Sequence, residues 1–464
     1  MALVLSGLIL VMLLGALDQT IMAPALPAVA GSLGGLGQMP AVVTAYLAAA
    51  TVVMPVYGKL GDRYGRKPVM QAAIVVFVTG AVLCALAGSM PQLIAFRAIQ
   101  GLGGGGLMIG AQAIIGEIVS PRERGRYLGF IGAAYVVAAV GGPLLGGFIV
   151  DRLSWRWIFA VYPPLGLLAL VVLTATLRLP RPESDGTPRP PLDVAGALTL
   201  AVAVVGVVLL GQTREPVFLL VTGAGLAAWA VSARHAKDPI LPPRLFRDRA
   251  FAVPVAISLL IGFALFGTVT YMPAYLQIAL RSSATQAGLT VTALMGGVLL
   301  TTIVSGRLIT ATGRYKPYPV AGTALAAAGL ALMAVAGHSS LALAGAMLVT
   351  GLGVGLVMQV MVLAAQNAVG YADLGTATSA VTFLRQVGAS AGVALVGALI
   401  TMRFPGAGLT AVPADLPGGV RDAFADAVPP VFAAMSPLLA VAFLLALALP
   451  VRPLRTTAYA EEKA

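Results

Sequence analysis

GKLGDRYGRKP, from Gly58 to Pro68, and GRLITATGRYK, from Gly306 to Lys316, are the two stretches that decide the fold. Aligned on their first glycine, they share Gly, a basic residue, Leu, then Gly and Arg at identical offsets. Thr310 stands where the first copy carries Asp62. Each copy follows the second apolar run of a set of six, so the repeat is in register with the hydropathy pattern.

Working outward from these loops, nearly everything else is apolar. The 464 residues are 59% hydrophobic and 10% charged, with a mean hydropathy of +0.95. A soluble domain carries about 25% charged residues, so a soluble enzyme, a disordered chain and a secreted disulfide scaffold are all excluded. The single cysteine, Cys84, has no partner in the chain. The net charge of +12 lies in short gaps between apolar runs, not interleaved with aromatics as in a nucleic-acid face. Met1 to Leu17 has no basic leader region, so it reads as a retained span rather than a signal peptide.

A spanning helix needs about 20 apolar residues. Six candidates lie near Ala2–Ala28, Ala41–Leu60, Val69–Gly88, Leu93–Ile118, Tyr127–Val150 and Trp157–Leu177. Six more lie near Phe251–Leu276, Ala287–Thr310, Pro319–Gly337, Leu341–Ala365, Thr376–Met402 and Pro430–Leu449. Between them, Val194–Gly211 and Pro216–Ser232 are each just long enough to cross, giving fourteen spans; twelve with an interfacial hairpin is the alternative. The division expected is a six-helix bundle over 1–177, a linker region with two extra spans over 178–250, a second bundle over 251–450 and a tail over 451–464. Arg178–Pro191 is a Pro-rich charged linker, and Val420–Val428 in the long loop after Met402 could form a short surface helix. Lys and Arg concentrate in alternate loops, among them Lys59–Lys67, Arg122–Arg126, Arg234–Arg249 and Arg307–Lys316. The positive-inside rule then predicts cytoplasmic termini and a multi-pass protein of the plasma (cytoplasmic) membrane. Internal repeats of this kind mark secondary transporters, whose substrate site lies between the halves near the midplane.

With these features in place, the chain resembles the major facilitator superfamily, and within it the 14-span drug:proton antiporter group (EmrB/QacA type), over essentially its whole length. GKLGDRYGRKP is similar to that superfamily's signature loop, and LDQTIMAPALPAV, from Leu17, to the LDxT…ALP pattern of drug exporters. RAIQGLGGG, from Arg97, resembles the RxxQG motif. Gly129, Gly142, Pro143, Gly146 and Gly147 resemble the antiporter motif of span five, with Ala138 where a glycine is usual. SWRWIFAVYPPLG, from Ser154, resembles a segment of the 14-span group with Tyr162 in place of its usual Asn, and the stretch from Gln366 resembles that group's thirteenth-span region. The resemblance implies an all-α polytopic membrane protein of major facilitator fold, two six-helix bundles plus two central linking helices. It also implies drug:proton antiport by alternating access, with a monomer as the default.

Asp18 is the only carboxylate well inside a span. Such an acid costs about 2.5–3.5 kcal/mol to insert and normally faces a cavity or a partner. Because loss of water favours the neutral form of a carboxyl group, Asp18 is the candidate carrier of the coupling proton; a plain interhelical hydrogen bond is the alternative. Arg97 either pairs with it or snorkels to the interface on its long stem. Asp62, with Gly58, Arg63, Gly65, Arg66 and Lys67, lies at the membrane edge, where the family resemblance implies a conformational latch that holds the halves in the outward-facing state through charge pairs and a helix terminus, with Arg124 as a partner for Asp62. The Gly-rich stretches lack a phosphate-loop pattern, so ATP as direct fuel is unsupported; they read as close-packing, bendable helix surfaces. Gln19, Tyr46, Tyr135, Tyr271, Gln277, Gln359 and Arg385 are candidate cavity-lining residues.

His235 and His338 fall in loops, which argues against a histidine relay, and spans nine to fourteen have no interior Asp or Glu. Dicationic substrates therefore fit less well than neutral, zwitterionic, anionic or monocationic amphiphiles. No metal-binding or nucleophilic constellation lies within the spans, so the reading is not an enzyme and needs no cofactor beyond a proton gradient. The expected partners are an amphipathic small molecule, protons and the lipid bilayer, with no nucleic acid. A lipid or lipid-linked metabolite translocator is the alternative within transport, and a non-transporting scaffold is the reading outside it.

Overall fold

The computed structural model describes residues 2–22, 25–33, 38–179, 190–213, 215–282, 284–337, 339–403, 425–426 and 428–454. Most of the Pro-rich linker, the Val420–Val428 segment except for isolated residues, and the tail from 455 onward lie outside the described residues. Fourteen helices are long and apolar enough to cross a membrane. They are α1 Ala2–Ile21, α2 Met39–Tyr64, α3 Arg66–Ala85, α4 Met90–Ile118, α5 Pro121–Arg152, α6 Trp157–Thr176 (the turn Trp157–Ala160 continued by Tyr162–Thr176), α7 Val194–Thr213, α8 Val217–His235, α9 Arg249–Ala279, α10 Ala284–Thr312, α11 Pro317–Val335, α12 Ser340–Ala368, α13 Leu374–Arg403 and α14 Pro429–Leu447. Both central runs form continuous helices long and apolar enough to cross, as the fourteen-span reading expects. The first span stops at Ile21 rather than running on to Ala28. A separate helix, Leu26–Leu33, follows it, consistent with Pro24 and Pro27, since proline lacks an amide donor and disfavours helical geometry in the residue before it.

The helices pack in two groups. In the first, α4 packs against α2 and α3, while α1 packs against α5 and α6. In the second, α12 packs against α10 and α11, α9 against α13, and α11 against α14. The central pair α7 and α8 pack on each other, and α7 also lies against both α2 and α13. It therefore bridges the seam where the two groups meet.

Glycines set how closely α4 sits in its group. At Gly103 a Cβ would meet the Phe77 backbone nitrogen, and at Gly101 and Gly105 it would meet the Tyr46 and Ala50 carbonyl oxygens. Neither backbone can give way, and overpacking of this kind costs about 1–3 kcal/mol or more. Gly103→Leu is expected to lower the thermal-aggregation midpoint and the folded yield in detergent. Gly223→Leu, where nothing lies within 4 Å of the added carbon, should leave both unchanged.

The two groups touch at the face that carries the basic loops and part toward the other. Near that face Gly306 packs on the Gly125 backbone, and further along α5 a Cβ on Gly129 would sit 3.2 Å from the Thr302 carbonyl oxygen. Beyond the midplane of the same helix pair, a Cβ added at Gly141 or Gly147 on α5, or at Gly288 or Gly296 on α10, would meet no described atom of another element within 4 Å.

Candidate functional site

Asp18, Arg97 and Gln100 form a dry polar cluster inside the first group. Asp18 and Arg97 are each 1% exposed. Arg97 Nη1 donates to Asp18 Oδ2 at 2.7 Å, to Oδ1 at 2.9 Å and to Gln100 Oε1 at 2.8 Å. Gln100 Nε2 donates to Asp18 Oδ1 at 2.9 Å. The guanidinium carbon lies 4.3 Å from the Tyr46 ring centroid and 5.8 Å from that of Phe159, and the Tyr162 hydroxyl lies beside the carboxylate. Arg97 therefore does not snorkel. Arg97 and Gln100 share one face of α4 because they are three residues apart. Between this cluster and the central cavity stands Met108, whose sulfur accepts from Gln19 Nε2 at 3.5 Å.

The signature loop lies on the seam. Asp62 Oδ1 accepts from the Gly375 amide at 2.7 Å, and its Oδ2 accepts from the Thr376 amide at 2.7 Å and the Thr376 hydroxyl at 3.0 Å. These are the unsatisfied donors of the first turn of α13, where a carboxylate also meets the positive end of the helix dipole. Arg66 Nη2 donates to Asp62 Oδ1 at 2.9 Å, and its Nη1 is ion-paired with Glu117. Glu117 in turn accepts from the Tyr371 hydroxyl of the second group. Gly58 has no room for a side chain, since a Cβ there would meet Ser379 Oγ and the Gly375 carbonyl. Gly65, at φ 94°, makes the left-handed break that lets α3 start one residue after α2 ends.

Three expectations about this loop need correcting. Arg124 is not the partner of Asp62: its Nε donates to the Val119 carbonyl at 3.0 Å, inside its own group, and the α13 amides take the place expected for it. Lys67 does not cross the seam, because its Nζ donates to the Thr174 and Leu177 carbonyls at 2.8 Å each and so caps the C-terminal end of α6. Arg63 donates to the Pro190 carbonyl at 2.6 Å, while Lys59 is ion-paired with Asp238. Both basic residues tie the loop to the central segment rather than to α13.

The α5 motif divides in a similar way. Gly129 lies at the seam, whereas Gly142 makes room for Thr20 of α1, whose hydroxyl donates to the Ala138 carbonyl at 2.9 Å. Gly146 is buried, Gly147 lies in the part of α5 where the groups diverge, and the helix runs unbroken through Pro143. Only the basic-loop end of this motif is therefore a partner across the interface.

A cavity of about 550 Å³, counted to its open mouth, lies between the groups at mid-depth. Its polar wall includes Gln112, Tyr135, Gln359, Thr382, Arg385 and Gln386, and its apolar wall includes Met12, Met108, Phe266 and Met358. Of the candidate lining residues, Tyr135, Gln359 and Arg385 border it. The other four do not. Tyr46 belongs to the Asp18 cluster and Gln19 turns to Met108. Tyr271 donates to the Val393 carbonyl at 3.0 Å and Gln277 to the Pro273 carbonyl at 3.3 Å, both inside the second group. Below the cavity floor, Gln366 Nε2 donates to the Gln112 carbonyl at 3.2 Å and Thr382 to Gln112 Oε1 at 3.1 Å, joining the groups toward the sealed face.

Sequence reading missed Glu117, 1% exposed at the end of α4, and its partner Tyr371. The available signal was a lone acid in the last turn of an apolar span, one loop away from the basic cluster.

Two helical groups sealed together at one face, around a mid-depth cavity with a buried ion pair beside it, define a two-bundle membrane transporter. The sequence profile of the Major Facilitator Superfamily matches residues 8–393, and the chain belongs to that superfamily. An uncharacterized MFS-type transporter of Mycobacterium tuberculosis is 38% identical over 97% of this chain and 70% of its own length. The multidrug transporter protein MdtP of Bacillus subtilis is 34% identical over 86% of this chain and 75% of its own. Multidrug resistance protein 3 of the same bacterium is 31% identical over 86% and 80%. Among solved structures, the proton:xylose symporter XylE superposes with a TM-score of 0.68 at 16% identity, covering 99% of this chain and 98% of its own. The human organic anion transporter MFSD10 also gives 0.68 at 16%, covering 96% and 99%. These two likenesses concern the fold alone. The protein is a multi-pass membrane transporter of a family that moves small molecules.

Proposed function

We propose that the protein is a proton-coupled exporter of amphipathic small molecules, a drug:proton antiporter working by alternating access, with the multidrug relatives as support. The observation that carries the reading is the Asp18–Arg97–Gln100 cluster. A lone carboxylate paired with one buried guanidinium has two electrostatic states, ion-paired or protonated, and exchanging them changes what the interior of the first bundle will tolerate. The proton gradient supplies the energy, and no further cofactor is needed. The bundles run over 1–177 and 251–450, with 178–250 joining them and 451–464 as a tail. The basic-loop face is cytoplasmic, as are both termini, in the plasma membrane, and the working unit is a monomer. In that orientation the structure is the state closed to the cytoplasm, and Asp62 on the first turn of α13 is its latch.

The reading is tested in proteoliposomes loaded with an amphipathic dye under an imposed pH gradient. Uphill dye movement that stops on adding a protonophore is the expected result. Movement indifferent to the protonophore would overturn proton coupling. If dyes fail while a fluorescent phospholipid changes leaflet, the alternative of a lipid translocator takes its place.

A further inference from the structure

Arg385 is a buried cation at mid-depth in the second group, and among the described residues no carboxylate neutralises it. It sits near the middle of α13 with 7% of its surface exposed, bordering the central cavity. Its Nη1 has no hydrogen-bond partner, and among the described residues no carboxylate pairs with it. The contrast with Arg97 is sharp, since that guanidinium has a carboxylate, an amide oxygen and two aromatic faces. Asp18 is already committed to Arg97, and among the described residues the cavity wall contains no acid. Close packing fixes the stem of Arg385: Gly262 of α9 lies against its backbone carbonyl, and a Cβ there would sit 3.1 Å from the Arg385 Cγ. Across the same cavity, Gln359 Oε1 is buried and also has no partner. One unpaired donor with a full positive charge and one unpaired acceptor therefore face a cavity whose other walls are neutral, polar on one side and apolar on the other.

Buried polar groups in folded proteins are nearly always paired, and a buried arginine with no counter-ion is a seat for a planar anion, which its fork of donors fits bidentately. We infer that Arg385 is the anion anchor of the substrate site, and that the transported class is amphipathic monoanions bearing a carboxylate or a similar acidic group. An adjacent hydroxyl or N–H on the ligand would meet Gln359, and an apolar body would lie against Met12, Met108, Phe266 and Met358. The wall discriminates against cations, because a buried like charge repels them with no nearby acid to compensate. This assignment deepens the proposed function by naming the substrate class of the same transporter.

Equilibrium binding by the purified full-length protein in nanodiscs of zwitterionic lipid tests it without any gradient, so failure here and failure of proton coupling are separable. The probes are 6-alkoxy-2-naphthoic acid, its methyl ester and the corresponding trimethylammonium compound, read by calorimetry. The expected result is that wild type binds the acid about tenfold or more tighter than the ester and the cation weakest, since tenfold corresponds to only about one good charge-assisted contact. Arg385→Gln should bring acid and ester to equal affinity with ester binding retained, and Arg385→Lys should keep part of the preference. Retained ester binding shows that the variant is folded. Equal affinity of acid and ester in wild type, or a preference that survives Arg385→Gln, would overturn the assignment. Displacement of the acid by phosphatidylglycerol at equimolar concentration would assign the anion seat to a lipid head and overturn the small-molecule class.

Discussion

Asp18→Asn is expected to abolish uphill, proton-driven transport while leaving downhill movement of substrate. The substitution keeps the shape and the hydrogen bond to Gln100 but removes both the titratable proton and the counter-charge of Arg97. A buried guanidinium left alone costs about 3–5 kcal/mol, so the variant should also lose thermal stability. This second effect allows coupling to be separated from folding. Arg97→Gln alone should be destabilised for the mirror reason, because Asp18 then has no counter-charge. The double variant Asp18→Asn/Arg97→Gln buries no charge at that position and should recover most of the stability, a positive interaction between neighbours of the kind that double-mutant cycles measure. It should remain unable to use the proton gradient. A double variant that recovers both stability and uphill transport would reduce the pair to a structural tie.

The second large effect is expected at Asp62. Its carboxylate makes three hydrogen bonds to Gly375 and Thr376 across the seam, and a charge-assisted bond contributes about 1.5–3 kcal/mol. Asp62→Ala removes all three and leaves the first turn of α13 uncapped. If about 2 kcal/mol of this favours the sealed state over the alternate one, the ratio of the two changes about thirtyfold. Spin labels on cysteines at exposed Arg126 and Arg307 would report it, since those positions lie on α5 and α10 near the sealed face and native Cys84 is buried. The expected result is a longer distance in Asp62→Ala than in wild type. Asp62→Glu should lie between, because it keeps the charge but sets it one methylene too far out. Unchanged distances in Asp62→Ala would mean that the packing of Gly125 on Gly306 holds the seal by itself.

Much of the fold is legible in the sequence because membrane helices announce themselves through length and hydropathy alone, and the repeat at Gly58 and Gly306 fixes how the helices divide. Asp18 and Arg97 are legible for the same reason: charge inside an apolar run is expensive, so each needs a partner, and they are the two charges in the interiors of the first four apolar runs. Side-chain partners across the seam are less legible. Asp62 has its cation in Arg66, four residues on, but that the helix start it meets is Gly375 and Thr376 of α13 no composition argument reveals. Lys67 carries the same charge as Arg66 one position away, but its helical position points it at α6 instead of the seam. The cavity wall shows the same limit. Tyr271 and Gln277 have the right chemistry, but their hydrogen bonds are satisfied within the second group, and only the three-dimensional packing of α9 on α13 shows it.

Proton-linked transport in energised inside-out membrane vesicles, comparing wild type with Asp18→Asn, tests the central claim most directly. The readout is the acid-interior pH gradient, followed with a fluorescent amine as an amphipathic anion is added. Wild type is predicted to dissipate the gradient on addition of the compound, and Asp18→Asn at equal expression is predicted to give no response. Equal dissipation by both would contradict the account, placing the coupling proton on a group other than Asp18.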